Sequence, residues 1–480
     1  MTVAKTGGSV AFAGGFTATK FNYPAQAACA LTFAAGETFT FTDMTVDGAA
    51  AGVAGLSLAS TESGTRWKLN VTRRAQIGGV TVSDSAATGI PLYADQPCVN
   101  GGNNDRWSFG FASAKWTGGA SGSFFESANW STESVPDAST RVILESDATI
   151  DLAGEEAAHI RELWITGGSV NLKGANALVV DQALAVDAGA TAVLDVPVTA
   201  GSALVAAQAK ITHTGPHARG VTNRVCLTVL GDMEIAQGGF IDVTGKGWNR
   251  GVGPGAPTTD LLSASHGGVG ADNKPCYGSV FEPVAPGSGG LGRTESDGGG
   301  VVRLTVGGTL VVNGEIVSTS IIPGFGSGAG GSIWITAGAL SGSGVISARG
   351  GNFSNGNYGG AGGGGRVAIY LTEATSFAGC GVTINAYGGR MQSSIAGQRP
   401  TTPCGTVYLQ TAAEADGCGR IVLDNDGSTS VSRGTAYSTG CAPAVNIAAN
   451  ARIAALSTFI FPSSRFQSVP PTVRRLLRSA

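Results

Sequence analysis

One pattern of very short strands returns again and again along this chain, and it leaves few folds open. Val302-Arg303-Leu304-Thr305-Val306 is followed by Leu310-Val311-Val312 and Gly314-Glu315-Ile316. Ile333-Trp334-Ile335-Thr336 is followed by Leu340 and Val345-Ile346-Ser347-Ala348. Val367-Ala368-Ile369-Tyr370 leads to Val382-Thr383-Ile384-Asn385-Ala386, and Val407-Tyr408-Leu409-Gln410 to Ile421-Val422-Leu423. An earlier copy runs from Val225-Cys226-Leu227-Thr228-Val229 through Ile235 to Ile241-Asp242-Val243. Hairpins need paired strands of matched length joined by tight turns, and these units offer neither. Stacked coils satisfy the pattern: each strand pairs in parallel with its counterpart one coil away, and the apolar residues fill one continuous core. The expected fold is all-β, a right-handed parallel β-helix (β-solenoid). In that register Ile335, Ile369 and Leu409 take equivalent inward positions, and Trp334, Ala368 and Tyr408 share one outer face.

Composition agrees. Glycine supplies 76 of 480 residues, about twice average usage. Proline does not rise with it and no G-X-Y period appears, which excludes collagen. A hydrophobic content of 42% excludes a disordered chain. Only 13% of residues are charged, so much of the polar surface falls to Ser, Thr, Asn and backbone. The net charge of −3 gives no long-range pull on nucleic acid or anionic membrane. No stretch reaches the ~18 apolar residues that span a bilayer. Residues 1–10 show no basic region followed by an apolar run, so no signal peptide is visible; extracellular placement then implies a longer chain.

Four regions are expected. Residues 1–112 form an N-terminal β unit, the end of a preceding solenoid. Residues 113–150 form a linker or entry segment carrying the motifs around Trp116 and Trp130. Residues 151–460 form the glycine-rich β-helix, with an early set of coils over 163–195. Residues 461–480 form a basic tail carrying Arg465, Arg474, Arg475 and Arg478, with a short helical stretch at 473–477. The glycine stretches at 245–300, 324–331 and 350–365 are expected as loop excursions from one edge, the longest being functional or disordered.

Two sets of motifs resemble known families. Trp116-Thr117-Gly118-Gly119, then Ser127-Ala128-Asn129-Trp130 and Val135-Pro136, resembles a segment of large bacterial surface and autotransporter-associated repeat proteins. Ser265-His266-Gly267-Gly268, Tyr277-Gly278, Pro286-Gly287-Ser288-Gly289-Gly290, Gly328-Ala329-Gly330-Gly331-Ser332-Ile333-Trp334-Ile335 and residues 362–370 together resemble glycine-rich, pectin-lyase-like β-helix segments of secreted repetitive proteins. Residues 80–107 look like the closing coil of a preceding β-helix. The resemblance implies extracellular or cell-surface display, with adhesion or glycan contact as the common expectation. It carries no catalytic signature.

The chemistry-bearing side chains concentrate in 248–297: Trp248, Asp260, His266, Asp272, Lys274, Tyr277, Glu282, Glu295 and Asp297. Paired carboxylates there could act as acid and base on a glycosidic bond, and a lyase would use a base with calcium-holding carboxylates. The bland reading is a solvated glycine loop with ordinary surface charges. For His266 it is a hydrogen bond to loop backbone. His213 and His217 sit four apart, but Pro216 between them excludes a helical metal pair. Trp248, Trp334, Tyr370 and Tyr408 could stack on sugar rings if exposed, or lie under a glycine loop. No metal site and no cofactor are expected. None of the eight cysteines forms a CxxC pair, leaving disulfides or buried thiols open. Cys380 and Cys418, in matching Gly-Cys-Gly contexts, are the candidate disulfide or stacked thiol pair. Two functions follow: a non-catalytic surface or adhesive β-solenoid contacting glycans, or a carbohydrate-active β-helix enzyme (polysaccharide lyase or glycoside hydrolase). The coils carry few acids, which favours the former.

Overall fold

The computed structural model describes residues 1–4, 7–24, 29–48, 56–154, 156–218, 223–292, 295–321, 326–353, 360–390 and 402–426, and the backbone of Ala444–Ile447. The basic tail, the stretch at 473–477 and Cys441 lie outside the described residues. The chain divides into two units, Met1–Ala114 with Ser139–Arg141, and Lys115–Ala138 with Val142–Ala480.

The first unit is built from two parallel sheets. Gly8–Phe12, Cys29–Phe33, Ser57–Ser60, Thr81–Val82 and Val99–Asn100 form one of them. Thr17–Pro24, Thr38–Asp47, Trp67–Gly78 and then Ser85–Ala87 with Leu92–Asp95 form the other. The strands alternate because the sequence does: in Thr38–Asp47, Phe39, Phe41, Met44 and Val46 are buried between half-exposed polar residues. Phe33 and Trp67 stack in this core with ring centroids 4.0 Å apart.

The second unit repeats the plan at greater length. Nine strands form one all-parallel sheet: Ser121–Ser123, Ala148–Asp151, Ser169–Lys173, Thr191–Leu194, Lys210–Thr212, Phe240–Asp242, Glu315–Val317, Val345–Ser347 and Thr383–Asn385. The opposing sheet holds bent strands. Leu178–Val186 pairs with Ala158–Ile160 through one half and with Glu162–Ile165 through the other. Val301–Val312 bends likewise, its register with Ser332–Ser341 shifting between Val306 and Thr309. Gly307 sits at that corner, where a methyl group would collide with the Leu230 carbonyl.

The expected register holds. Leu304, Ile335, Ile369 and Leu409 stack on successive coils, each at most 6% exposed. Trp334, Ala368 and Tyr408 form the neighbouring outward row. Three expectations are corrected. Residues 113–150 are no linker, since they contribute Ser121–Ser123, Thr140–Leu144 and Ala148–Asp151. Trp116 and Trp130, from the two motifs there, pack edge to face at 5.1 Å and bridge the backbone antiparallel.

Secondly, Ile421-Val422-Leu423 does not continue the parallel stack. Arg420–Leu423 runs antiparallel to Thr406–Gln410, because the chain reverses over 411–419. Glu414 accepts from the Thr411 N–H at 2.8 Å, and Gly419 N–H donates to the Tyr408 hydroxyl at 2.8 Å. Cys418 therefore lies in this reversal, whereas Cys380 precedes Thr383–Asn385 in the nine-stranded sheet. They occupy non-equivalent positions, and no disulfide joins them.

Thirdly, the described parts of the glycine stretches pack against one another as layers rather than leaving one edge as loop excursions. Gly247 N–H donates to Gly298 at 2.8 Å, Gly268 to Gly364 at 2.8 Å, Gly330 to Gly363 at 3.0 Å and Gly405 to Ala386 at 2.7 Å. Ser263, Ser265, His266 and Ser288 are fully buried among them. Backbone meets backbone directly, so each segment satisfies its polar groups with another segment distant in sequence. A methyl group at Gly363 would collide with the Gly268 carbonyl.

Ile369→Asp buries an unpaired charge and is expected to cost at least about 3 kcal/mol, whereas Leu230→Asp, at a side chain 66% exposed, stays within about 0.5 kcal/mol. Denaturant melts of the two variants compare them; equal midpoints would refute the inward placement. Gly363→Ala overpacks a backbone contact and is expected to cost about 3 kcal/mol, read as a lowered unfolding midpoint.

Candidate functional site

The outer face of the nine-stranded sheet carries a polar groove. Its floor follows from strand alternation. Ala148 and Ile150, Val170 and Leu172, Ala192 and Leu194 point inward and are buried, so Thr149, Asn171 and Val193 face out. Register puts Ser121, Thr149, Asn171, Val193 and Thr212 in one row across five coils. Asp147 and Ser169 border this row on one side. His213, Thr214, Gly215 and Lys246 close it at the far end, around a cavity of about 390 Å³.

Hydrogen bonds fix most of the wall. Asp147 Oδ1 accepts from the Ser169 N–H at 2.8 Å. Asp195 holds Thr214 through both oxygens, from the N–H at 2.8 Å and the hydroxyl at 2.6 Å. Lys246 Nζ donates to the Gly215 carbonyl at 3.3 Å. Among the described residues no carboxylate lies within ion-pairing distance of this half-buried ammonium. Asn171 Oδ1, on the floor, has no hydrogen-bond partner.

Two imidazoles stand behind the groove end. His213 and His217 stack nearly parallel, 5.6 Å between centroids and 8° between planes. The geometry fixes the His213 tautomer. Nδ1–H donates to the Thr214 carbonyl at 2.8 Å, and Nε2 accepts from Val301 N–H at 3.2 Å. His217 Nε2 likewise accepts from Asn223 N–H at 3.2 Å. Burial pushes the His213 pKa down to about 4, the Thr214 carbonyl opposing this and His217 and Lys246 adding to it. Burial lowers His217 too, against the pull of Asp195. Neither ring offers an unoccupied basic nitrogen to the groove.

The side chains singled out in 248–297 do not converge. His266 is buried with Nδ1 on the Gly330 carbonyl at 2.7 Å, and burial drives its pKa down to about 3. Tyr277 packs on that ring at 4.6 Å and donates to the Pro286 carbonyl at 2.6 Å. Asp272 turns to the Thr258 N–H at 2.8 Å and Lys274 at 3.5 Å. Asp260, Glu282 and Glu295 are exposed, and Asp297 is buried, accepting from Arg250 N–H at 2.7 Å. Trp248 is half-buried, its backbone bridged to His217. His266, Asp272 and Asp297 are engaged with backbone of the glycine stretches, while Asp260, Glu282 and Glu295 are ordinary exposed charges.

The aromatic row is covered. Tyr408 is fully buried with Ala368, Val280, Ile421 and Leu423, and Phe281, Trp334 and Tyr370 pack around it. Tyr370 hydroxyl donates to the Phe281 carbonyl at 2.8 Å. Arg303 lies 4.5 Å over the Trp334 ring. The cover comes from 280–281 of the long glycine stretch and from the reversed strand. Sequence reading missed the groove residues Thr149, Asn171, Thr212 and Lys246. Period-two alternation marks Thr149 and Asn171 as outward, but only the register shows that they share a row with Thr212.

Protonating either stacked imidazole would set N–H against N–H at Val301 or Asn223. Groups whose folded pKa is depressed below the free-imidazole value hold full stability above pH ~6.5 and lose it as pH falls towards the folded values, about 4 for His213. Asp195 and Lys246 also face this pair. The melting temperature is expected to be flat above pH 7 and to fall between pH 6 and 4, with His213→Gln showing a shallower fall; an unchanged slope in that variant would refute the assignment.

No family model, no curated protein and no solved structure matches this chain.

Proposed function

We propose that this chain is a non-catalytic, extracellular or cell-surface β-solenoid, akin to the pectin-lyase-like repeat proteins its glycine motifs resemble, that contacts glycans through the groove of its nine-stranded sheet. The coils are right-handed in this reading, the sense that strand twist imposes on parallel crossovers. The observation that carries it is the engagement of the His213 imidazole and the Asp195 carboxylate at the groove end. His213 Nε2 is engaged by Val301 and both Asp195 oxygens by Thr214, so neither is free to act as acid or base in the groove. What remains is a row of hydroxyl and amide side chains, interrupted by Val193, on a parallel ladder, a surface suited to binding. A rigid body built from backbone layers fits display outside the cell, and surface adhesion is the corresponding role.

A panel of immobilised polysaccharides, scored for retention and for release of reducing or unsaturated ends, tests this. Retention without release is expected. Reproducible release, lost on changing Asp147 or Lys246, would replace the proposal with a carbohydrate-active enzyme.

A further inference from the structure

The groove also indicates which glycans fit it. Its charged groups are two carboxylates, Asp147 lining it and Asp195 behind Thr214, and one ammonium, Lys246. A polyanionic chain would have to seat its own carboxylates or sulfates beside both acids, with one cation to offset them. A polycation would meet Lys246. The remaining lining combines Ser169, Asn171, Thr149, Thr212 and Thr214, which offer both donors and acceptors, with apolar Ala120, Ala148 and Val193. An uncharged sugar hydroxyl can donate to a carboxylate or amide oxygen and accept from an ammonium at the same time.

A second observation points the same way. Asn171 Oδ1, on the floor, is shut off from water with no partner, an arrangement that costs free energy unless a donor arrives. Rotation about the terminal side-chain bond, a broad torsion in Asn, turns the amide towards the cavity. Among the described residues no Trp, Tyr or Phe lines the groove, so binding rests on hydrogen bonds rather than stacking on those rings. The row runs across coils about 4.8 Å apart, which suits a chain lying along the solenoid axis rather than a single sugar.

Resting on the glycan-contact reading above, we infer that the groove takes an uncharged, hydroxyl-rich polysaccharide, held between Asp147, Asn171 and Lys246. Affinity electrophoresis of the full chain through gels containing dextran, galactomannan, polygalacturonate or chitosan tests it. Retardation is expected in at least one neutral gel and to exceed that in polygalacturonate and chitosan. Asn171→Ala and Lys246→Met are each expected to weaken neutral retardation at least fivefold with the melting temperature unchanged. Should Asn171→Ala fail to fold, Lys246→Met and Thr149→Val carry the test. Stronger retardation by polygalacturonate or chitosan, or variants that bind like the parent, overturns the neutral-glycan inference and leaves glycan contact standing. Absence of retardation in all four gels removes both.

Discussion

Direct hydrogen bonding between glycine backbones from distant parts of the chain organises the second unit. Gly268 reaches Gly364, and Gly299 reaches Ala329, across spans that only a stacked fold can close. Each such bond needs an approach that any Cβ would block, as at Gly287 against the Ala329 carbonyl. The bonds are individually modest, worth about 1 kcal/mol net. Their force lies in the alternative, since an unpaired N–H or carbonyl in these buried layers would cost more than the bond contributes. The layers in turn place Val280 and Phe281 over the aromatic row, and Lys246 beside Gly215.

This packing explains where the polar side chains of 248–297 went. Ser288 accepts from Gly255 N–H and Ser265 from Gly270 N–H, while His266 and Asp297 are spent on Gly330 and Arg250. A region rich in titratable residues thus has a structural duty, and the groove arises on the plain face of the other sheet. The two histidines join these worlds, because Val301 N–H, at the exit of the glycine layers, is held by the imidazole whose neighbour Thr214 walls the groove.

The coil register was legible because side-chain alternation and repetition are both local signals. Ile335, Ile369 and Leu409 could be aligned on pattern alone, and so could the shared row of Trp334, Ala368 and Tyr408. The reversal after Gln410 was not legible, since Ile421-Val422-Leu423 alternates identically in either direction and only hydrogen-bond partners tell parallel from antiparallel. The glycine layers were hidden for a related reason. Glycine signals a loop in most chains, and close backbone contact leaves no side-chain pattern to read. Of the site, alternation showed single outward residues, while the grouping of Asn171, Thr212 and Lys246 required stacking of separate coils.

The glycine layers and the outer face of the nine-stranded sheet meet different demands on variation. Where a Cβ would run into backbone, as at Gly363 against the Gly268 carbonyl, a glycine layer admits only glycine, and geometry fixes that position. The row through Ser121, Thr149, Asn171, Val193 and Thr212 projects outward from coils whose inward residues do the packing. Ser121, Thr149, Asn171 and Val193 are at most partly buried and can change with little disturbance of the core, whereas Thr212 is itself buried. The molecule therefore separates an immutable scaffold from a writable strip, and new ligand preferences can be acquired along the strip one coil at a time.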